Sequence, residues 1–492
     1  MATTHVPSPT SRLLFGYAKH DITPPMGIYH RMWGAARHDV ATGIHRPLEC
    51  DLLIFEPING DPINRHIRIQ LDFVYLNNSQ LDKLGAPAAS IAKIPPENVV
   101  ITCSHSHSAG VFESNRYELP GGNLIEPYLN DVAKTIGELT SKALANLSPA
   151  TFTYSAGHCG MASNRDFYDE TNKLYATGHN PNKIIENPLT VVRVCSETET
   201  PVLYIVHYGC HPTTLSWDNS LISPDFIGSL RETIQEVTGS LCCYFQAPCG
   251  DIGPREGFVG DPTVADRNGK QVAHAALSLI YSLGSPNHDF HYSGPVISGA
   301  TIGTWKWQPH NSERSTTCSR FSTLYNDVFL PIKKLPTKDQ LEKDILDLNK
   351  KQAEADKEND IISARDYGAR AERCRRWLSR ISRIPKNSDF KLKYGIQLLG
   401  DALWITVAAE PYSNIAVDLR RRFPDFQLII SPISGDAQVA YLLPKDRYGI
   451  GLYQEEPSAL APGCLELLTD AITKSITELT GYQPSLERKI TL

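Results

Sequence analysis

The sequence predicts a mixed α/β (α+β) fold in which layered sheets with flanking helices form one large domain. Short apolar, β-branched runs alternate with longer segments whose apolar residues recur at helical spacing, and a strand, helix, strand succession is the signature of an α/β layer. The chain has 492 residues, of which 41% are hydrophobic and 21% charged, as is ordinary for a soluble globular protein. No internal repeat or low-complexity linker divides it, so residues 1–492 are expected to form a single domain.

Charge and cysteine content restrict the partners and the location of the protein. A net charge of −6 and the lack of a basic stripe argue against nucleic-acid binding, and no apolar run approaches the roughly 18 residues that span a bilayer. The N-terminus has neither the basic start nor the apolar segment of an export signal. The 11 cysteines are scattered, and the adjacent Cys242 and Cys243 suit buried thiols, so we expect a reduced, cytoplasmic protein. The sequence leaves open whether copies of the chain form a homo-oligomer.

The first part of the chain shows the layer pattern most clearly. Residues 52–55 and 67–74 are predicted strands, and residues 80–94 a helix that two prolines end before the strand beginning at Val99. Further strands are predicted at residues 151–154, 189–194, 202–207, 242–246, 290–302, 394–399, 402–408 and 428–433. Further helices are predicted at residues 126–147, 223–238, 264–283 and 465–480, with another that ends at Arg422.

Residues 333–385 differ in composition from the rest of the chain. Charge rises and helix formers dominate, which predicts a charged helical hairpin inserted in the domain. Its basic cluster, Arg373-Cys374-Arg375-Arg376, is interpreted as a solvated face. The hairpin is expected either to cover a pocket or to make a subunit contact, and the sequence does not distinguish these roles.

Residues 99–108, VVITCSHSHS, end an apolar run in two histidines with one residue between them. Along a strand, side chains two residues apart point the same way, so His105 and His107 are predicted to project together. Two such imidazoles can share a metal, or one can bind the metal while the other handles a proton. A bare H-x-H is more often a solvated loop, so further donors are needed to favour a metal site.

Two later segments supply polar residues at predicted strand ends. His211 follows the strand at 202–207, and the proline after it disfavours a helix there. Asp251 follows the strand at 242–246, where it could hold the second nitrogen of a metal-bound histidine or simply form a turn. Three histidines at strand ends of one sheet favour a metal site more than two do.

Five motifs occur in order along most of the chain: ITCSHSHSAG, HYGCHPTTL, QAPCGDIGP, AAEPYSNIAVDLR and VAYLLPKDRYGIGLYQ. Together they resemble the neutral/alkaline (non-lysosomal) ceramidase family, specifically its N-terminal catalytic domain. The corresponding landmarks of that family are T-H-T-H-S-G, H-P-T, G-D-V-S-P, a Glu-Pro helix start and a tract with two tyrosines. The opening segments GYAKHDITPP and GIHRPLECDLLIF also fit the family.

The resemblance implies one Zn²⁺ held by His105, His211, Glu410 and Tyr441. Two histidines and a glutamate are independently a sensible catalytic zinc set that leaves room for water. Tyr441 is either a ligand or the group that binds the developing oxyanion. Taken alone, Glu410 could also be a carboxylate at a helix N-terminus.

The same resemblance implies roles around the metal. His107, beside the metal but not on it, would move the proton between water and the leaving amine. Arg165, in the polar loop at residues 160–166, would bind a substrate carbonyl or hydroxyl, although a loop arginine is usually just solvated. Asp251 is the candidate for support of the ligands.

These features predict a zinc-dependent hydrolase that cleaves an acyl amide bond with a metal-activated water. Gly253 stands where the family motif has serine, which excludes a serine nucleophile there. The helices of residues 333–385 look like an addition, and the family's C-terminal immunoglobulin-like domain has no room in the chain. A soluble acyl amide or an ester is therefore as reasonable a substrate as ceramide.

Three alternatives to this function remain. They are an esterase that uses the same zinc site, an amidohydrolase-type metal barrel with H-x-H on its first strand, and a non-catalytic binding relative. A Cys249 nucleophile has no supporting local signature.

Overall fold

The computed structural model describes residues 4–386, 388–436 and 439–485. Its helices are α1 (Asn78–Ala92), α2 (Ile125–Ala145), α3 (Phe226–Thr238), α4 (Pro262–Ser282), α5 (Ser312–Cys318), α6 (Lys338–Lys357), α7 (Ile361–Ile381), α8 (Asn414–Arg422) and α9 (Cys464–Thr480). Its strands are β1 (His5–Val6), β2 (Thr10–Asp21), β3 (Gly43–Ile44), β4 (Glu49–Glu56), β5 (His66–Leu71), β6 (Val99–Cys103), β7 (Ser148–His158), β8 (Ala162–Asn164), β9 (Asp166–Asp169), β10 (Leu174–Thr177), β11 (Pro188–Ser196), β12 (Pro201–Tyr208), β13 (Leu221–Ile222), β14 (Leu241–Gln246), β15 (Ile252–Pro254), β16 (His288–Ile297), β17 (Thr301–Pro309), β18 (Phe321–Leu330), β19 (Phe390–Leu399), β20 (Ala402–Val407), β21 (Glu410–Pro411), β22 (Gln427–Pro432) and β23 (Tyr441–Leu442).

The larger sheet has eight strands in the order β14-β12-β11-β7-β2-β4-β5-β6. Its pairs are antiparallel except β12 with β14 and β5 with β6, so β6 and β12 run in opposite senses across the sheet. Neighbouring strands rotate by about 20° per pair, and this twist accumulates across the sheet. The edge strands β6 and β14 consequently contact each other, and the segments that follow β6, β12 and β14 meet in one place.

A second sheet, in the order β18-β19-β20-β22, packs on one face of the first. The core between them contains Trp404 of β20, whose ring centroid is 5.4 Å from that of Phe55 and 5.7 Å from that of Phe245. Because side chains alternate along a strand, Ile54, which precedes Phe55 in β4, faces the opposite side of the large sheet and lies in a different core.

Helices cover both outer faces, which gives four layers. Helices α1 and α2 pack on β4 to β6, and α3 and α4 pack on β11, β12 and β14. Helices α8 and α9 cover the four-stranded sheet. The predicted mixed fold of layered sheets and flanking helices is confirmed. The barrel alternative is wrong, because in the described part of the chain the hydrogen bonding of the large sheet ends at β14 and β6.

Some elements differ from the prediction. Residues 290–302 are not one strand, because the chain turns at Gly299, whose φ is +72°, and forms the hairpin of β16 and β17. Strand β2 was not predicted, although it is central to the large sheet and pairs with both β4 and β7. Cys242 and Cys243 are buried free thiols, as predicted.

The predicted helical segment at residues 333–385 forms the antiparallel pair α6 and α7. Loop residue Gly34 packs closely on α7, since a Cβ there would lie 3.0 Å from the Cα of Ala369. That this pair is an insertion in the domain stays a prediction. Among the residues that the structure describes, none of the helices has the length and apolar character needed to cross a bilayer.

Candidate functional site

The two histidines of the H-x-H motif lie in a loop rather than on a strand. Strand β6 ends at Cys103, and His105 has a φ of 70°, a strained conformation for a residue other than glycine. The backbone N–H of His105 donates to the Phe73 carbonyl at 2.9 Å, and that of His107 to the Pro212 carbonyl at 3.3 Å. The two rings converge, with centroids 4.9 Å apart. The prediction that the two histidines converge is confirmed, but the reason given for it is wrong, because the loop conformation rather than strand alternation brings the rings together.

The structure brings the four predicted zinc ligands together. His211 follows β12, and its N–H donates to the Ile252 carbonyl at 3.1 Å. Glu410 and Tyr441 are far apart in sequence but lie directly opposite each other in the short parallel pair of β21 and β23. Nε2 of His211 lies 3.0 Å from Nε2 of His105 and 3.4 Å from the Tyr441 hydroxyl.

The hydrogen bonds of the two buried histidines decide which nitrogen carries the proton. Nδ1 of His105 lies 2.6 Å from the Val74 carbonyl, and Nδ1 of His211 lies 3.1 Å from the Cys249 carbonyl. Because a carbonyl only accepts, both Nδ1 atoms must donate, and in a neutral ring the lone pair is then on Nε2. When both rings are neutral, two lone pairs therefore face each other at 3.0 Å.

A carboxylate adds negative charge to these lone pairs. Oε2 of Glu410 lies 3.3 Å from Nε2 of His105 and 3.8 Å from Nε2 of His211. Nε2 of the half-buried His107 lies 3.4 Å from that of His105, in the same group of possible metal donors. We call His105, His107, His211 and Glu410 the donor cluster. Such a convergence of acceptors fits a cation between them.

Arg165 and Tyr441 form a rigid donor pair beside the cluster. The Arg165 guanidinium donates through Nε and Nη2 to the Gly250 carbonyl, at 3.1 and 2.8 Å, and through Nη2 to the Tyr441 hydroxyl at 3.1 Å. Arg165 is 4% exposed and is therefore not the solvated loop residue of the alternative interpretation.

Burial and nearby positive charge set the protonation of the site. Burial, with contributions from His105 and Arg165, holds the pKa of His107 well below its ordinary value, so the ring is neutral. Burial likewise lowers the pKa of His211. Burial would raise the pKa of Glu410, but His105 and Arg165 outweigh it, and the net shift is downward. Burial and the Glu410 carboxylate raise the pKa of Tyr441, so its hydroxyl keeps its proton.

Asp251 does not hold a histidine, and that prediction is wrong. Its carboxylate accepts from the Ser413 backbone N–H at 2.7 Å and from the Ser413 hydroxyl at 3.1 Å. The Nδ1 atoms of His105 and His211 instead donate to the backbone carbonyls of Val74 and Cys249. Asp251 thus fixes the segment that follows Glu410.

A cavity of about 450 Å³ opens onto the donor cluster. Trp33, Trp217 and Phe258 form an aromatic wall, in which the Trp33 ring centroid is 5.3 Å from that of His107. The α6–α7 hairpin covers the cavity, since α7 supplies much of its lining. The interpretation of the basic cluster as a solvated face holds for Arg373, which is exposed although it lines the cavity, but not for Arg376, which is less exposed and turned into the cavity.

The lining residues on α7 and the aromatic wall were missed by sequence reasoning. Lining arginines recur along α7 at spacings of three and four, but a helix face toward a polar cavity has the same pattern as one toward water. The tryptophans lie in loops, where no periodicity identifies their surroundings.

A second group of possible metal donors, His5, Asp289 and His291, lies near the surface. The Asp289 carboxylate is already satisfied by protein donors. One oxygen accepts from the Ser8 N–H at 2.8 Å and lies 3.1 Å from Nε2 of His310, and the other is 3.0 Å from Nε2 of His5. We call this the Asp289 group, and it needs no cation.

Comparison with known proteins supports the fold. No protein-family model matches the chain, and no curated protein matches it. A solved structure of a ceramidase complexed with C2 superposes with a TM-score of 0.63 at 15% identity, covering 99% of this chain and 78% of that one. The structure of the neutral ceramidase from Pseudomonas aeruginosa gives a TM-score of 0.61 at 16% identity, covering 98% and 77%. The chain therefore has the neutral ceramidase fold, as its sequence motifs predicted.

Proposed function

We propose that this protein is a zinc-dependent hydrolase that cleaves an acyl amide bond with water. The observation that carries the proposal is the convergence of the His105 and His211 lone pairs with the Glu410 carboxylate in a buried site. The structural similarity to ceramidases supports an amide as the bond that is cleaved, because ceramide, after which those enzymes are named, is an acyl amide.

The residues present fit a zinc ion. His105, His211 and Glu410 would hold it, with Tyr441 as either a fourth ligand or a hydrogen-bond donor. When bound, Zn²⁺ lowers the pKa of a water molecule toward neutrality and polarises an acyl carbonyl.

The side chains around the donor cluster would handle protons and charge. The neutral His107 can accept a proton from water at Nε2 and return it to the leaving amine. The Tyr441 hydroxyl, oriented by Arg165, can donate to the oxyanion that forms on the carbonyl oxygen. Neither role requires a side chain to be covalently modified.

A protein nucleophile is disfavoured by the surroundings of the two positions where one was considered. Gly253 has no side chain to attack with. Cys249 Sγ lies on the Nδ1 side of His211, 3.4 Å from that nitrogen and away from the Nε2 cluster. Burial raises the pKa of this thiol, which keeps it protonated. Attack by water is therefore the favoured route.

The test is hydrolysis by purified protein of a panel of N-acyl amides and matching esters, with and without a chelator. We expect amide hydrolysis that chelation abolishes and zinc restores, and that His105→Ala reduces to background while His5→Ala does not. Hydrolysis that survives both chelation and His105→Ala would overturn the proposal. Cleavage of the esters alone would favour the esterase alternative, and zinc binding without any hydrolysis would favour a binding relative.

A further inference from the structure

One face of α7 presents a row of arginines to the cavity. Five arginines spaced three or four residues apart lie on one side of the helix and its C-terminal extension, where they line the cavity. They are Arg370, Arg373, Arg376, Arg380 and Arg383, and we call them the arginine face. The face extends past the donor cluster toward the aromatic wall, where Arg365 of the same helix lies 5.6 Å over the Trp217 ring.

Three members of the arginine face have their own carboxylates. Arg370 pairs with Asp366 at 3.5 Å, Arg373 with Glu456 at 3.4 Å, and Arg383 with Glu113 at 3.2 Å and Asp436 at 3.5 Å. Their positive charges are therefore balanced within the protein.

Arg376 has only a shared carboxylate. Its Nε lies 3.0 Å from Glu372 Oε1, but Arg116 binds both oxygens of the same carboxylate, at 2.5 and 3.2 Å. Arg375 Nη1 also lies 3.8 Å from Glu372 Oε2, so three guanidinium groups share one negative charge. The Nη2 of Arg376 donates to the Met32 carbonyl, a neutral acceptor.

Arg380 has no carboxylate within 4.0 Å in the described ranges 4–386, 388–436 and 439–485. Its Nη1 donates to the Pro457 carbonyl at 2.5 Å, and its guanidinium lies 5.0 Å over the Trp377 ring. Burial lowers its pKa and outweighs the opposing effect of more distant acidic groups such as Glu410 and Glu113. Arg165 also lines the cavity, and among the described residues its hydrogen bonds go to the Gly250 carbonyl and the Tyr441 hydroxyl rather than to a carboxylate.

Both cations face the same cavity as the donor cluster, because Arg376, Arg380, His107 and Glu410 all line it. A positive charge without a full counter-charge is costly where water is partly excluded, and a guanidinium binds a carboxylate, sulfonate or phosphate through paired hydrogen bonds.

We propose that the substrate is an N-acyl amide with an anionic group on its amine part, and that Arg376 and Arg380 bind this group beside the scissile bond. The acyl part then lies against the aromatic wall of Trp33, Trp217 and Phe258, next to His107. This inference rests on the proposed hydrolase function and names its substrate class.

The kinetic test uses one acyl chain on four amines that differ in charge. They are ethanolamine, which is neutral, glycine, with a carboxylate, taurine, with a sulfonate, and phosphoethanolamine, with a phosphate. We expect kcat/KM for at least one anionic amide to exceed that of the neutral amide tenfold or more, and the best headgroup identifies the anion. Equal rates, or preference for the neutral amide, would overturn the inference while leaving the hydrolase function intact.

Variants separate recognition from structure. Arg380→Gln and Arg376→Gln are expected to lower kcat/KM for the anionic amides much more than for the neutral amide, so that the anionic-to-neutral ratio falls to near one. The matched control is Arg375→Gln on the same helix, because Arg375 also lies near Glu372, at 3.8 Å, and donates to Asn349, but does not line the cavity. It should keep the wild-type ratio. A uniform loss for all four amides in Arg380→Gln would show a structural role and overturn the inference.

A binding measurement does not depend on hydrolysis. Calorimetry with octyl sulfate and octanol, which contain no amide, is expected to show at least tenfold tighter binding of the sulfate, lost in Arg380→Gln and kept in Arg375→Gln. If no amide is cleaved but this difference is found, the hydrolase function fails and the anion site stands. If octyl sulfate binds no better than octanol, or binds equally well to Arg380→Gln, the anion site is refuted.

Discussion

The donor cluster and the Asp289 group contain the same kinds of residue, histidines beside a carboxylate, yet they differ in where the protons lie. In the Asp289 group the carboxylate accepts from a backbone N–H and is surrounded by His5, His310 and Arg314. In the donor cluster the histidine N–H groups point away, to the Val74 and Cys249 carbonyls.

The different directions of the N–H groups show that the number of possible ligands alone does not identify a metal site. A carboxylate surrounded by donors is complete, whereas lone pairs and a carboxylate that face one another favour a cation between them. The donor cluster should therefore serve function, and the Asp289 group should serve stability.

Replacing the carboxylate of each group is expected to give the largest difference between the donor cluster and the Asp289 group. Glu410→Gln removes a proposed zinc ligand, so kcat/KM should fall by more than the roughly 10–100-fold that loss of an outer partner costs. Asp289→Asn should leave kcat/KM of the folded protein unchanged but lower the free energy of unfolding by about 1–3 kcal/mol, since it leaves buried donors without their acceptor. Steady-state kinetics and urea unfolding of both variants check this. The comparison fails if Asp289→Asn impairs catalysis as Glu410→Gln does.

Tyr441→Phe tests the role of the tyrosine hydroxyl beside the donor cluster. It removes only the hydroxyl that Arg165 orients, and loss of one donor to an oxyanion typically costs about 10²–10³ in kcat. Zinc content decides between the two roles of this residue: zinc retained with kcat lowered indicates the oxyanion donor, and zinc lost indicates a ligand. An unchanged kcat would exclude both.

Asp251→Asn should have a smaller effect. The change weakens the anchor of Ser413, three residues after Glu410, so we expect a loss of about tenfold in kcat/KM with zinc still bound. The control Ser413→Ala keeps the backbone hydrogen bond and should lose less. A stronger effect of Ser413→Ala than of Asp251→Asn would contradict this positioning role.

The smallest expected effect is the pH dependence of the Asp289 group. Although burial opposes it, hydrogen bonds from His310 and its other neighbours hold the pKa of Asp289 below its ordinary value of 3.8. A carboxylate with a lowered folded-state pKa stabilises the protein above that ordinary value and loses this contribution as the pH falls below it. The difference in unfolding free energy between wild type and Asp289→Asn should be constant from pH 7 to 5 and shrink below about pH 4. A difference that grows in acid would contradict the assignment.

The convergence of His105, His211, Glu410 and Tyr441 could be predicted from sequence because their motifs are short and the chemistry of their side chains is specific. The predicted contact of Asp251 with a histidine was wrong because a backbone carbonyl can hold a histidine as well as a carboxylate can, and a sequence pattern does not reveal carbonyl positions. Arg376 and Arg380 could not be recognised, since only tertiary packing shows that their helix faces a cavity. The turn at Gly299 was missed because the apolar, β-branched residues on both sides of it suggested one continuous strand.

The central claim is that the donor cluster binds zinc, and metal analysis of purified variants tests it most directly. Wild-type protein and His5→Ala should each hold about one zinc per chain after reconstitution and dialysis, whereas His105→Ala and His211→Ala should hold almost none. X-ray absorption of the wild-type protein should show nitrogen and oxygen ligands at about 2.0–2.2 Å. Zinc that persists in both His105→Ala and His211→Ala, or that is lost in His5→Ala instead, would contradict the account.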